Sequence, residues 1–168
     1  MIRAILLAAA MGAAVNAYAA PGSAVLENLA QTQKIRLGFR DSSVPISYVG
    51  SQGEPLGFSV DLCKRIVYAI AQDLKLKQIA IDWVPITSST RIHAIKTGRI
   101  DMECGSTTNT VDRRKDVAFT VPHYIAGVRI LSRANAALLT PMGLEGKTVS
   151  TNKGSTAADM LVAFNGQL

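Results

Sequence analysis

Cysteine is scarce in this chain of 168 residues: Cys63 and Cys104 are the only two. That excludes a disulfide-scaffold miniprotein and any cysteine-rich zinc module. Histidine is equally scarce, and His93 and His123 do not have the spacing of a metal site. No cofactor is expected. A Gly-rich phosphate loop is missing, since Gly105 and Gly154 stand alone. Acidic or basic blocks are missing too. Lys and Arg number 18 against 12 Asp and Glu, a net charge of +6, but the acidic residues are interspersed. A nucleic-acid footprint is therefore not compelled, and no nucleic-acid partner is expected. There is no internal repeat or low-complexity segment. With 48% hydrophobic and 18% charged residues the chain is neither disordered nor collagen-like. It is long enough for one ordinary domain and too short for two complete ones.

Long apolar runs are absent after the first. Arg3 precedes an uncharged stretch from Ala4 to Val15, followed by Asn16-Ala17-Tyr18-Ala19. This is the three-part layout of a secretory signal peptide, residues 1–19, with small residues before a cut after Ala19. The run is shorter than the ~20 residues that a membrane-spanning helix needs. The mature chain is expected to be exported to the periplasm.

Periodicity supplies the elements. Within a leading segment, residues 20–33, a short helix is expected over Ser23–Gln33. Lys34–Phe39 alternates polar and apolar and reads as a strand. Arg40–Pro55 is rich in Ser, Gly and Pro and reads as a loop, with Ile46–Val49 a short strand inside it. From Gly57, Phe58, Leu62, Ile66, Ile70 and Leu74 recur every four residues with Val67 alongside, predicting an amphipathic helix of about four turns. Gln78–Val84 alternates again, with Ile79, Ile81 and Trp83 on one face. Ser88–Thr97 reads as a second helix closed by Gly98, and Ile100–Cys104 as a third strand. Val117–Thr120, Tyr124–Ser132 and Lys147–Thr151 are further strand candidates, and Ser155–Phe164 a last helix. Alternating strands and helices imply an α/β fold with a parallel sheet and right-handed crossovers.

In such sheets ligands bind beyond the carboxyl ends of the strands. Those positions carry Arg40 after the first strand, Ser88 and Arg91 after the second, and Ser106 and Thr108 after the third, with Arg113 a few residues on. Ser155 and Thr156 open the last helix. Taken singly, Ser88 is a helix N-cap and Arg40 or Arg113 a solvated surface charge. Together they place hydroxyls, arginines and free helix N–H groups along one sheet edge. Guanidinium binds carboxylate through two parallel hydrogen bonds, and helix N-termini favour anions. The chemistry points to a small carboxylate-bearing molecule. Catalysis has little support, because His93 lies within a helix, His123 follows a proline, and Asp61 and Asp101 suit capping equally well.

Pro55-Leu56-Gly57-Phe58-Ser59-Val60-Asp61-Leu62, Pro85-Ile86-Thr87-Ser88-Ser89-Thr90-Arg91-Ile92 and Glu103-Cys104-Gly105-Ser106-Thr107-Thr108-Asn109 resemble the periplasmic amino-acid-binding proteins of ABC importers, the glutamate/aspartate binders above all. The likeness runs from about Lys34 to the last residue. It implies a periplasmic-binding-protein type II-like fold, two α/β lobes hinged around a ligand. Residues 34–130 would form one nearly complete lobe, lacking its returning C-terminal part, and residues 131–168 the start of a second. The resemblance also implies ligand contacts at Arg40, Ser88, Arg91, Ser106, Thr108, Arg113, Ser155 and Thr156. The protein would then be a monomer that delivers an amino acid to a membrane permease.

Relatives in this family continue through the rest of the second lobe and cross back to complete the first, whereas this chain stops at Gln167-Leu168. It reads as a fragment. In some relatives the partner expected for Cys104 lies beyond that point. A Cys63–Cys104 bridge is permitted in an exported protein, but sequence separation does not establish its geometry. Two rival readings share the scaffold: an exported cyclohexadienyl dehydratase-like enzyme, which needs a positioned acid or base in the cleft, and a fragment without function.

Overall fold

Lys34–Phe39, read as a strand from its alternation, is the central strand of the main sheet. The computed structural model describes residues 23–136 and 140–166; the expected signal peptide lies outside the described residues. Helix α1 (Ala24–Thr32) docks Leu29 into the core, and Gln33 turns the chain through a left-handed conformation into β1 (Lys34–Phe39). The Ser-, Gly- and Pro-rich stretch that follows forms a small antiparallel sheet rather than a loop with one strand. Its members are β2 (Ser42–Ser43), β3 (Ser47–Val49) and β4 (Pro55–Leu56), in the order β2-β3-β4. Buried Ser47 ties it to the main sheet, its Oγ accepting the Arg40 backbone N–H at 2.9 Å.

The four-turn helix is α2 (Phe58–Asp73), and its buried stripe differs from the expected one. Val60, Cys63, Val67 and Ala71 face the core, while Phe58 and Ile66 are exposed. Every fourth residue overshoots a full turn by about 40°, so a strict four-residue series winds off any one face. The mixed spacing of three, four and four stays on it. Phe58 instead packs beside His123 and Tyr124, with ring centroids 5.8 and 6.5 Å away.

The chain returns as β5 (Ala80–Pro85), parallel to β1 along its whole length from Lys34↔Ala80 to Phe39↔Pro85. Thr87–Thr90 forms a hydroxyl-linked turn, so helix α3 is shorter than expected (Arg91–Lys96). Strand β6 (Met102–Cys104) then pairs on the other side of β1, giving the parallel order β5-β1-β6. The two crossovers run in opposite directions, and the right-handed rule puts their helices on opposite faces of the sheet. Two apolar clusters match this. Leu29, Ile35, Leu37, Phe39, Val60, Cys63, Val67, Ala71, Ile79 and Cys104 pack on the α2 side, and Ile86, Ala94 and Ile100 on the α3 side. Gly38 makes room for the second cluster, since a Cβ there would stand 2.5 Å from Ile100 Cδ1.

A disulfide joins Cys63 of α2 to Cys104 of β6, the pairing that sequence separation alone left open. The start of β6 is fixed from the other side. The Asp101 carboxylate accepts the Arg36 backbone N–H at 2.8 Å and its guanidinium at 3.1 and 2.7 Å. That pair raises the Arg36 pKa above its ordinary value, chiefly through the side-chain hydrogen bond.

The last three strand candidates, Val117–Thr120, Tyr124–Ser132 and Lys147–Thr151, form no strand among the described residues. A strand exists through its ladder, and these segments have β propensity without a partner to pair with. Ile125 and Leu131 are accordingly almost fully exposed. The last helix forms as read: α4 (Thr156–Asn165) starts at Ser155, whose Oγ accepts the Ala158 N–H at 3.2 Å.

Candidate functional site

Strand order β5-β1-β6 reverses at β1, and the loops beyond β1 and β6 flank the crevice that such a reversal leaves. Arg40 follows β1, Gly105–Thr108 follows β6, and the Thr87–Thr90 turn beyond β5 leads to Arg91. The segment before α4 comes up against this rim. Arg113 donates from Nη1 to the Thr108 carbonyl at 2.9 Å and from Nη2 to the Gly154 carbonyl at 3.2 Å. The hydroxyls of Thr108 and Thr156 stand 3.4 Å apart.

Arg40 and Arg91 are 6% and 3% exposed, and the Nε of each is buried with no hydrogen-bond partner among the described residues. A buried N–H left unpaired costs about 1–3 kcal/mol, more when charged. Two such groups side by side are an unsatisfied demand for an acceptor. Among the described residues Arg91 has only a loose ion pair, 3.7 Å from Nη1 to Glu103 Oε1. Burial lowers its pKa, Glu103 opposes the shift, and the charges of Arg113 and Arg40 add to it. Arg91 thus feels two further guanidiniums here. An arginine's ordinary pKa is so high that Arg91 remains cationic at neutral pH despite this lowering.

The eight residues expected from sequence are not equally placed. Arg40, Arg91, Arg113, Thr108 and Thr156 gather at the rim. Ser88 is half-buried and its carbonyl lies against Gly154. Ser106 is exposed on its loop. Ser155 uses an oxygen lone pair to cap α4. Glu103 was not among the eight. It accepts the Thr107 hydroxyl at 2.6 and 2.5 Å and is the carboxylate paired with Arg91. Once the disulfide sets the direction of Cys104 toward α2, strand alternation points its neighbour Glu103 to α3 and Arg91. Also unforeseen is buried Ser59, which donates to the Gly105 carbonyl at 2.9 Å and meets His123 Nε2 at 3.0 Å. A separate groove of about 540 Å³ between Leu144–Thr151 and α4 contains none of the eight.

Solved structures share this architecture. The solute receptor for L-cysteine of Neisseria gonorrhoeae matches 82% of this chain and 54% of its own, with TM-score 0.68 and 23% identity. An ancestral amino acid-binding protein, a precursor of cyclohexadienyl dehydratase, matches 60% of this chain and 41% of its own, with TM-score 0.53 and 26% identity. The fold is the type II periplasmic-binding-protein type, mixed α/β around a parallel sheet. Residues 35–166 match the bacterial extracellular solute-binding proteins, family 3, and the chain belongs to that family. Among curated relatives, the L-glutamate/L-aspartate-binding protein of Pseudomonas aeruginosa is 38% identical over 95% of this chain and 53% of its own length. The glutamate/aspartate import solute-binding protein of Escherichia coli is 35% identical over 98% of this chain and 54% of its own. The chain spans about half the length of these relatives.

Proposed function

We propose that the protein captures an acidic amino acid, L-glutamate or L-aspartate, in the periplasm and delivers it to the membrane permease of an ABC importer. The observation that carries this reading is the buried pair Arg40 and Arg91, each with an unpaired Nε–H. In this reading those two guanidiniums and Arg113 hold the ligand carboxylates. The hydroxyls of Ser88, Ser106, Thr108, Ser155 and Thr156 complete the shell. Residues 34–130 act as one lobe and residues 131–168 as the start of its counterpart, exported by the leader at residues 1–19. The names of the two curated relatives support the ligand class and the transport role.

Calorimetric titration of the folded chain with L-glutamate and L-aspartate tests this reading. Saturable heat with both is expected; no heat with either would overturn it. The ancestral dehydratase precursor among the fold neighbours gives a second reading, an enzyme on the same scaffold. Incubation with prephenate or arogenate separates the two: the capture reading expects no turnover.

A further inference from the structure

We infer that Glu103 is a specificity-determining residue, a resident carboxylate that limits how much ligand negative charge the arginine cluster selects. This rests on the amino-acid-capture reading and extends it to a residue that pairs with the Arg91 guanidinium rather than with the ligand. Arg91 stands at the centre of the charges on the rim: Arg40 and Arg113 act on it as cations, and Glu103 is the carboxylate paired with it, 3.7 Å from Nη1 to Oε1. Its placement is built in. Both carboxylate oxygens accept the Thr107 hydroxyl. Gly105 leaves the space they occupy, because a Cβ there would stand 2.5 Å from Glu103 Oε1 and 3.4 Å from Arg40 Cγ. Glu103 is not required to hold β6 in the sheet, since the Asp101–Arg36 pair and the Cys63–Cys104 disulfide do that at the ends of the strand. What remains for a nearly buried anion beside Arg91 is to set the potential of the cleft.

A unit charge in a partly buried site changes the binding of a second charge a few ångströms away by about tenfold or more. Removing the Glu103 charge therefore favours a ligand with a second carboxylate over its amide counterpart. The probes are L-glutamate and L-glutamine, titrated by calorimetry into the full chain, the variant Glu103→Gln and the charge-retaining variant Glu103→Asp. The expected result is a rise of about tenfold in the ratio of L-glutamate to L-glutamine affinity for Glu103→Gln, and a ratio near that of the parent for Glu103→Asp. A purely structural role would weaken both ligands alike and leave the ratio unmoved.

Gly105→Ala is the second variant, for the case that Glu103→Gln does not fold. It displaces the carboxylate while leaving every charge in the chain, and is expected to raise the ratio about threefold. A parent chain that binds L-glutamate, with a ratio that does not move in the folded variants, overturns this inference and leaves the capture reading standing. A folded parent that binds neither ligand overturns both.

Discussion

Gly154 lies so close to Ser89 that a Cβ on it would stand 2.9 Å from the Ser89 Cα and 3.0 Å from the Ser88 carbonyl oxygen. Its φ of +77° is one that side-chain-bearing residues rarely adopt. Space and conformation thus require glycine where the start of α4 meets the turn before α3. Gly154→Ala is expected to cost about 1–3 kcal/mol locally through the backbone term alone. It is also expected to break the Arg113–Gly154 bond. Thermal unfolding and amide exchange of residues 154–158 check this, with loss of protection expected there and not in β1.

Arg91→Ala removes a buried guanidinium from the cluster. A hydrogen bond to a charged group contributes about 1.5–3 kcal/mol, so L-glutamate affinity should fall about ten- to hundredfold. Calorimetry on the folded variant measures it. Arg65→Ala, at an exposed position of α2 outside the rim, should leave affinity unchanged.

The sheet was legible where periodicity alone decides. Ile79, Ile81 and Trp83 alternate in sequence and pack on the α2 side in the fold, Ile81 and Trp83 from β5 and Ile79 from the residue before it. In α2 the expected Val67, Ile70 and Leu74 pack on the core, whereas Phe58 and Ile66 do not, since a strict four-residue series winds off any single helix face. Strand signals over Tyr124–Ser132 and Lys147–Thr151 report propensity, which becomes a strand only beside a partner. In the site, arginines and hydroxyls at strand ends were readable because topology fixes where strand ends lie. Glu103 was not, since a carboxylate inside a short strand reads as a surface residue until the disulfide shows which way its neighbour points.

Asp101 accepts three hydrogen bonds from Arg36, one of them from the backbone. Asp101→Ala leaves the Arg36 backbone N–H without its acceptor, while the backbone bond from residue 101 to the Arg36 carbonyl remains. The expected loss is about 1.5–3 kcal/mol, the value of a charge-assisted bond in a half-buried setting. Urea unfolding at neutral pH gives the number, and an unchanged midpoint would contradict it.

The Cys63–Cys104 disulfide closes a loop spanning 41 residues. On the chain-entropy account a loop of that length contributes roughly 2–4 kcal/mol by restricting the unfolded chain. Urea unfolding of the oxidised protein and of the Cys63→Ala/Cys104→Ala variant measures the difference. A lower midpoint is expected for the variant, with α2 loosened from β6.

The central claim is that three strand ends and the start of α4 act on one ligand. Backbone amide NMR of the chain during titration with L-glutamate tests it most directly. The account predicts saturable shifts concentrated at Arg40, Ser88–Arg91, Ser106–Thr108 and Ser155–Thr156, with the buried core between α2 and β1 quiet. Shifts confined to the Leu144–Thr151 groove, or none in a folded chain, would contradict it.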